Sequence, residues 1–390
     1  MKKKVAFLLK NLDGGGAERV ASNIMLNLSN EKYDKYLILD NEDIIVYEYD
    51  AKLITLDIVN TNNKIGRIIN FFKKVIEVRK IKKEYEFDVV ISFLSGSNLI
   101  NIMTKKNEKN VISIRNYMSK EHKDNLRGKI LVILSKALYK YTDVVTVVSR
   151  EAAVDLIDNF SVNEDNIEVI YNPYDLEKIH KKSIEEIDEE YKHIFNKPTI
   201  INVGRLCEQK GQIYLIEIIK KILEEKDINL VILGKGELEE ELKSKVKEYG
   251  IEENVYFLGF QENPYKYISK SKIMLMTSLF EGFPNVMLEA MACGIPIIST
   301  DCKSGPKEIM IEKCKLTEKL DYSQMMDYGW LIPDISENKI DEVIKIACDH
   351  VNELLDDNYL YKDCCKKSLI RSNDFKIDKI IKYWENIINS

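Results

Sequence analysis

Two glutamates, Glu281 and Glu289, stand in the segment Ser278-Leu279-Phe280-Glu281-Gly282-Phe283-Pro284-Asn285-Val286-Met287-Leu288-Glu289-Ala290-Met291-Ala292-Cys293-Gly294. Pro284 suits the first position of a helix and Gly294 the position after its last residue. That spacing predicts Glu281 in the loop just before a helix N-terminus and Glu289 in the second turn, among apolar neighbours. A carboxylate can accept hydrogen bonds from two adjacent hydroxyls, so the pair fits a sugar and a ribose. The plainer roles are a helix-dipole partner for Glu281 and a surface carboxylate for Glu289. For Glu289, apolar Val286, Met287, Leu288 and Ala290 weaken that reading.

A second stretch, Gly204-Arg205-Leu206-Cys207-Glu208-Gln209-Lys210-Gly211, carries a guanidinium and an ammonium on one loop. Arginine grips phosphate oxygens in pairs and lysine adds a compact charge, so a diphosphate is the natural partner. A solvated charge pair is the alternative. Gly234-Lys235-Gly236-Glu237 is either a simple turn or space cleared for a flat or phosphorylated group. Asp13-Gly14-Gly15-Gly16-Ala17-Glu18-Arg19 is either a tight turn or a loop whose backbone approaches an anion at a helix start.

Such loops act together only if strands and helices bring them to one edge. Short β-rich runs at Val5–Lys10, Tyr36–Asp40, Asp88–Leu94, Asn110–Arg115, Val144–Ser149 and Ile167–Asn172 alternate with helix-period segments such as Ala17–Ser29 and Leu126–Tyr141. Several runs are apolar almost throughout, as strands covered on both faces must be. The pattern restarts with strands at Thr199–Arg205, Asn229–Lys235, Val255–Phe260, Lys272–Thr277 and Ile295–Thr300. Ile213–Lys226, Leu238–Tyr249 and Pro284–Cys293 are the helices between them. Two β/α series predict two doubly wound domains, 1–172 and 173–375, divided at the turn Asn172-Pro173-Tyr174-Asp175. Leu176–Asn196 reads as a charged connector. Helices follow at Ile340–Glu353, Tyr359–Ser372 and Lys376–Asn389. In open α/β sheets ligands gather at the carboxyl ends of strands, where all four loops fall.

The bulk properties agree with a globular, two-domain chain. Of 390 residues, 45% are hydrophobic and 31% charged. The net charge of −6 is uneven: residues 1–172 hold 27 lysines and arginines against 24 acids, which leaves −9 on the remainder. This small basic excess suggests an anionic partner for the first half without indicating nucleic acid. The seven cysteines, Cys207, Cys293, Cys302, Cys314, Cys348, Cys364 and Cys365, form no CxxC pair. Reduced thiols in a cytoplasmic protein are expected, with neither a disulfide framework nor a zinc site. The lysines and apolar run at 2–9 lack a following cleavage site and read as a first strand, not a secretion signal.

With four motifs in this order, the chain resembles the family-4 glycosyltransferases, whose GT-B fold sets two Rossmann-like domains facing across a cleft. Glu281 and Glu289 match that family's E-x7-E pattern. Gly204, Arg205 and Lys210 match its phosphate loop, and Gly14–Arg19 its glycine-rich N-terminal loop. The resemblance runs from Val5 to about Trp384. It implies a retaining transferase that takes a nucleotide-diphosphate sugar, commonly UDP-linked, with no cofactor and no metal; no Asp-x-Asp occurs. Carried onto this chain, Arg205 and Lys210 hold the diphosphate and stabilise its departing charge. Glu281 holds donor-sugar hydroxyls and Glu289 the ribose. Backbone around Gly282, Phe283 and Asn285 faces sugar and phosphates, with Gly204 and Gly234 in the same donor loops. Gly15 and Gly16 close over the donor, and the last helix returns to the N-terminal domain.

Where relatives often carry Glu-His, this chain reads Ser113-Ile114-Arg115-Asn116. Arg115 and Asn116 are therefore the candidates for acceptor contacts, and His122 is left as a loop residue. Asn63–Tyr85 has Ile65, Ile68, Ile69, Phe72 and Ile76 at helical spacing among basic residues that include Lys73, Lys74, Arg79 and Lys80. Either this helix meets anionic lipid or an acceptor diphosphate, or its apolar stripe docks on the sheet and its lysines are solvated. Together these readings predict transfer to a glycan or lipid-linked acceptor in cell-surface glycan synthesis, peripherally on the inner face of the cytoplasmic membrane. A nucleotide-sugar epimerase of the same fold and a degenerate partner subunit are the competing readings.

Overall fold

The computed structural model describes all residues except 1, 14, 43–44, 59–60, 62, 122–125, 313–323 and 336–339. The chain divides into two compact units, 1–174 with 377–390, and 175–376. His122 and Cys314 lie outside the described residues.

In the first unit, strands β1 (Lys3–Leu8), β2 (Tyr33–Leu39), β3 (Lys52–Thr55), β4 (Val89–Phe93), β5 (Lys109–Ile114), β6 (Val144–Val147) and β7 (Ile167–Val169) form a parallel sheet ordered β3-β2-β1-β4-β5-β6-β7. Its helices are α1 (Gly16–Asn27), α2 (Lys64–Tyr85), α3 (Ser95–Met103), α4 (Met118–Glu121), α5 (Leu126–Leu138) and α6 (Arg150–Phe160). Alternation along β1 shows why both faces are covered. Val5 and Phe7 enter one core with α1 residues, while Ala6 and Leu8 enter another with Val75 and Val78 of α2.

The second unit opens with α7 (Leu176–Ser183), followed by β8 (Thr199–Val203), α8 (Gln212–Ile222), β9 (Asn229–Leu233), α9 (Glu239–Tyr249), β10 (Val255–Gly259), α10 (Tyr265–Ile268) and β11 (Ile273–Met276). It continues through α11 (Asn285–Ala292), β12 (Ile297–Thr300), α12 (Pro306–Met310), β13 (Gln324–Met326), β14 (Gly329–Ile332), α13 (Ile340–Asp356) and α14 (Asn358–Ser372). The sheet order is β10-β9-β8-β11-β12-β14-β13, parallel except for β13 against β14. The final helix, α15 (Ile377–Asn389), joins the first unit: Ile377, Ile380, Ile381, Trp384, Ile387 and Ile388 bury one helical face on the β1 side.

Several sequence expectations need correction. Leu176–Asn196 is not a connector. It forms α7 and a 3-10 segment, Glu189–Asn196, of the second unit, with Ile179, Ile187 and Ile194 buried. The charges had masked three well-spaced isoleucines. Strands β3, β13 and β14 were not anticipated. The first strand starts at Lys3, and Pro284 caps α11 rather than opening it, with an extended backbone.

Helix α2 bears on the two readings left open for its apolar stripe. Its inward face carries Phe71, Val75 and Val78, plus two lysines, Lys74 and Lys82. Lys74 is bound to buried Asp40, and Lys82 Nζ lies 2.6 Å from Glu108 Oε1. The stripe Ile65, Ile68, Ile69, Phe72 and Ile76 instead points outward, 49–67% exposed. Of the two readings, docking of this stripe on the sheet does not hold, because a second, shorter apolar row makes that contact.

Candidate active site

The second sheet places its chemistry at the strand pair β8 and β11. Chain order reverses here, since β8 has β9 on one side and β11 on the other, and such switch points open a crevice at the carboxyl ends of the strands. The loop after β8 holds Arg205 and Lys210, and the loop after β11 holds Glu281. Lys210 Nζ sits 2.7 Å from Glu281 Oε1, with the carboxylate buried and the ammonium only partly exposed. Ser278 Oγ donates to the same oxygen at 2.7 Å, whereas Glu281 Oε2 takes no hydrogen bond from the described residues.

Backbone bonds fix both loops. Leu279 N donates to Gln209 O at 2.8 Å and Gln209 Nε2 to Phe280 O at 2.9 Å. Thr277 Oγ1 donates to Gly211 O at 2.9 Å, and Thr300 Oγ1 to Ser278 O at 2.6 Å. Gly211 must be glycine: its φ is +60°, and a Cβ there would stand 2.2 Å from Thr277 O. The segment after β12 adds a further brace. Glu281 N donates to Lys303 O at 3.0 Å and Ser304 Oγ to Gly282 O at 2.8 Å. Burial raises the Cys302 thiol well above its usual range, and the nearby Glu281 and Asp334 carboxylates add to the shift.

The remaining candidates fall at different depths. Arg205 is exposed, and among the described residues no side chain pairs with its guanidinium. Glu289 is buried in the second turn of α11, and Gly282 and Phe283 are buried ahead of it. Asn285, the first residue of α11, is half-buried. Gly204 and Gly234 touch each other: a Cβ on Gly234 would come within 1.9 Å of Gly204 O. The glycine at 234 therefore serves the approach of two loop backbones, a role its sequence context did not reveal. Ser278, Thr300 and Ser304, which hold the glutamate loop, were also missed, since isolated hydroxyls give no spacing signal.

In the first unit, Gly15 caps α1 and Gly16 begins it, while Gly14 is outside the described residues. Beside them, burial pushes the Glu18 carboxyl above the usual carboxylate range. Arg115 follows β5. Its Nη2 donates to the Asn172 side chain beyond β7, and its buried Nη1 has no hydrogen-bond partner among the described residues. Desolvation lowers this guanidinium to about 9. Asn116 is exposed.

Two parallel Rossmann-like sheets, with a lysine–glutamate pair at the switch point of the second, define a GT-B glycosyltransferase. The sequence profile described as Glycosyltransferase Family 4 matches residues 14–178, and that described as Glycosyl transferases group 1 matches residues 183–318. The chain belongs to the family-4 glycosyltransferases. An uncharacterized glycosyltransferase of Methanocaldococcus jannaschii is 31% identical over 384 residues, covering 93% of this chain and 94% of that one. The N-acetylgalactosamine-N,N'-diacetylbacillosaminyl-diphospho-undecaprenol 4-alpha-N-acetylgalactosaminyltransferase of Campylobacter jejuni is 30% identical over 389 residues, covering 97% of both. Anabaena HepE, crystallised in complex with UDP and glucose, superimposes with a TM-score of 0.76 at 17% identity over 100% of both chains, a likeness of fold.

Proposed function

We propose that this glycosyltransferase moves a hexose or N-acetylhexosamine, with retention of anomeric configuration, from a nucleotide-diphosphate sugar to a polyprenyl-diphosphate-linked glycan. UDP is the proposed carrier and the inner face of the cytoplasmic membrane the proposed location. The observation that carries the reading is the Lys210–Glu281 contact at the β8–β11 switch point. It joins an ammonium suited to a leaving diphosphate with a carboxylate whose second oxygen is open to a sugar hydroxyl.

The roles follow from charge. Arg205, exposed on the same loop, and Lys210 meet the diphosphate and stabilise the anion that develops as the glycosidic bond breaks. Glu281 orients the sugar through its hydroxyls, Glu289 takes the ribose, and backbone N–H groups of Gly282, Phe283 and Asn285 face sugar and phosphates. Gly15 and Gly16 approach the same donor. The two cations perform the work a metal performs elsewhere, so the reaction proceeds without one. Arg115 and Asn116 contact the acceptor. The curated relative from Campylobacter jejuni, whose substrate is a diphospho-undecaprenol glycan, supports the acceptor class.

A panel of nucleotide-diphosphate sugars, each offered with a short-chain polyprenyl-diphosphate disaccharide and read by mass spectrometry, tests the proposal. NMR of the product gives the anomeric outcome. No transfer from any donor, or a product of inverted configuration, would overturn it.

A further inference from the structure

Soluble surface helices turn polar residues outward. Two helices of the first unit, besides the apolar row each sets on the core, leave a second row of large apolar side chains outside. On α2, Ile65, Ile68, Ile69, Phe72 and Ile76 are outside while Lys74 and Lys82 are inside on carboxylate partners. On α5, Gly128 and Ser135 are buried, whereas Ile130, Ile133 and Leu134 are 50%, 65% and 38% exposed. The two helices lie on one face of the sheet. Ala6, Leu8 and Val90 meet α2 there, Ile112 and Ile114 meet the α5 region, and Phe71 of α2 packs against both cores.

A concentration of exposed isoleucine, leucine and phenylalanine marks an interaction surface, and its rim identifies the occupant. The outward face of α2 continues past Ile76 as Arg79, Lys80 and Lys83, with Lys73 flanking it; Lys80 pairs with Glu77 at 2.7 Å and Glu84 is exposed, so the rim is mixed with a basic excess. Around α5 stand exposed Lys129, Lys136 and Lys140, with no acidic residue in 126–141. A second copy of this chain would set the same cationic rim against itself. No helix of the described residues is long and apolar enough to cross a membrane. Apolar side chains ringed by lysine and arginine match an anionic bilayer, with hydrocarbon below and phosphate at the level of the ammonium groups.

We infer that α2 and α5 together form a membrane-insertion surface: their outward apolar side chains enter the acyl boundary of an anionic phospholipid bilayer while the flanking lysines hold its headgroups. This deepens the proposed location at the membrane face and rests on no assignment in the donor site. Insertion, unlike surface attraction, survives salt, because screening acts on exposed charges and leaves buried apolar contact intact.

The test uses the full chain with phosphatidylcholine–phosphatidylglycerol vesicles in low and high salt, without donor or acceptor. Paired substitutions Ile68→Ser with Phe72→Ser, and separately Ile130→Ser with Ile133→Ser, change side chains already facing water, so folding should be kept. Each pair should weaken vesicle partition about tenfold or more in high salt. In an Ile133→Trp variant, lipids brominated along the acyl chain should quench the added emission. Undiminished partition for either pair, or no quenching, overturns the two-helix surface. So does dimerisation in the absence of vesicles that the serine substitutions abolish. Transfer to a water-soluble acceptor should be unchanged in both variants. If the unaltered chain shows no transfer at all, the enzymatic reading fails while the vesicle result stands.

Discussion

Lys210 and Glu281, 71 positions apart in sequence, meet at 2.7 Å because β8 and β11 are neighbouring strands. Before any donor arrives, each neutralises the other. In the proposed donor mode, the diphosphate would share the lysine with a buried carboxylate, so altering either residue changes the environment of the other.

Lys210→Ala should lower turnover by about 10²-fold, in the range of a lost preorganised charge. It should also destabilise the fold by about 1–3 kcal/mol, since Glu281 loses a buried partner. Arg205→Ala should weaken nucleotide-diphosphate affinity while stability stays within about 0.5 kcal/mol, because its side chain is exposed. Donor titration beside chemical denaturation of both variants checks this. Equal stability losses would contradict the different environments.

Glu281→Ala should abolish transfer while the free nucleotide diphosphate still binds. Glu289→Ala should instead weaken nucleotide binding. Calorimetric titration with UDP, followed by turnover with the UDP-sugar, separates the two, and the reverse pattern would exchange their roles.

Activity should persist in EDTA, with Arg205 and Lys210 supplying the positive charge at the leaving diphosphate. Turnover before and after chelation, followed by magnesium or manganese addition, is the measurement. An absolute need for the ion would remove the electrostatic role from these two side chains.

Arg115→Ala should raise the acceptor KM and leave UDP affinity unchanged. Its buried Nη1 has a hydrogen-bonding position to give, and it lies in the unit without the Lys210–Glu281 pair. An acceptor series at saturating donor reads this directly. A changed UDP affinity with an unchanged acceptor KM would move Arg115 to the donor.

Lys82→Met should cost about 3–5 kcal/mol by stranding Glu108, and adding Glu108→Leu should recover most of it. Burial lowers the Lys82 ammonium to about 8. The folded chain therefore releases this proton before the unfolded chain, whose lysine titrates near 10.4. The contribution of Lys82 rises with pH across that interval and is flat below it. Urea unfolding of wild type and Lys82→Met at several pH values should show a difference in stability between the two that grows with pH across that interval.

Much of this was legible from sequence because it depends on local pattern. The glutamate loop, the Arg205–Lys210 loop and most strands announce themselves through spacing and apolar runs. What escaped depends on partners far along the chain. Lys74 and Lys82 read as free surface charge because Asp40 and Glu108 are 34 and 26 positions away. Whether the isoleucines of α2 dock or face outward stayed open because the row that actually docks, Phe71, Val75 and Val78, is sparse. The close approach of Gly234 to Gly204 was not visible because the two glycines lie on loops of different strands.

The last helix carries a consequence for synthesis. Trp384 is fully buried beside Phe93, while Lys3 Nζ and Lys109 Nζ bind the terminal carbonyls of Ile388 and Ile387 at 2.9 and 2.7 Å. The unit that leaves the ribosome first is thus completed by the residues that leave it late. Throughout translation of residues 175–376, the nascent chain must shelter the apolar groove that Trp384 later fills, with Val5, Phe7 and Val89 in its wall. Until α15 emerges, that apolar wall lacks its native cover.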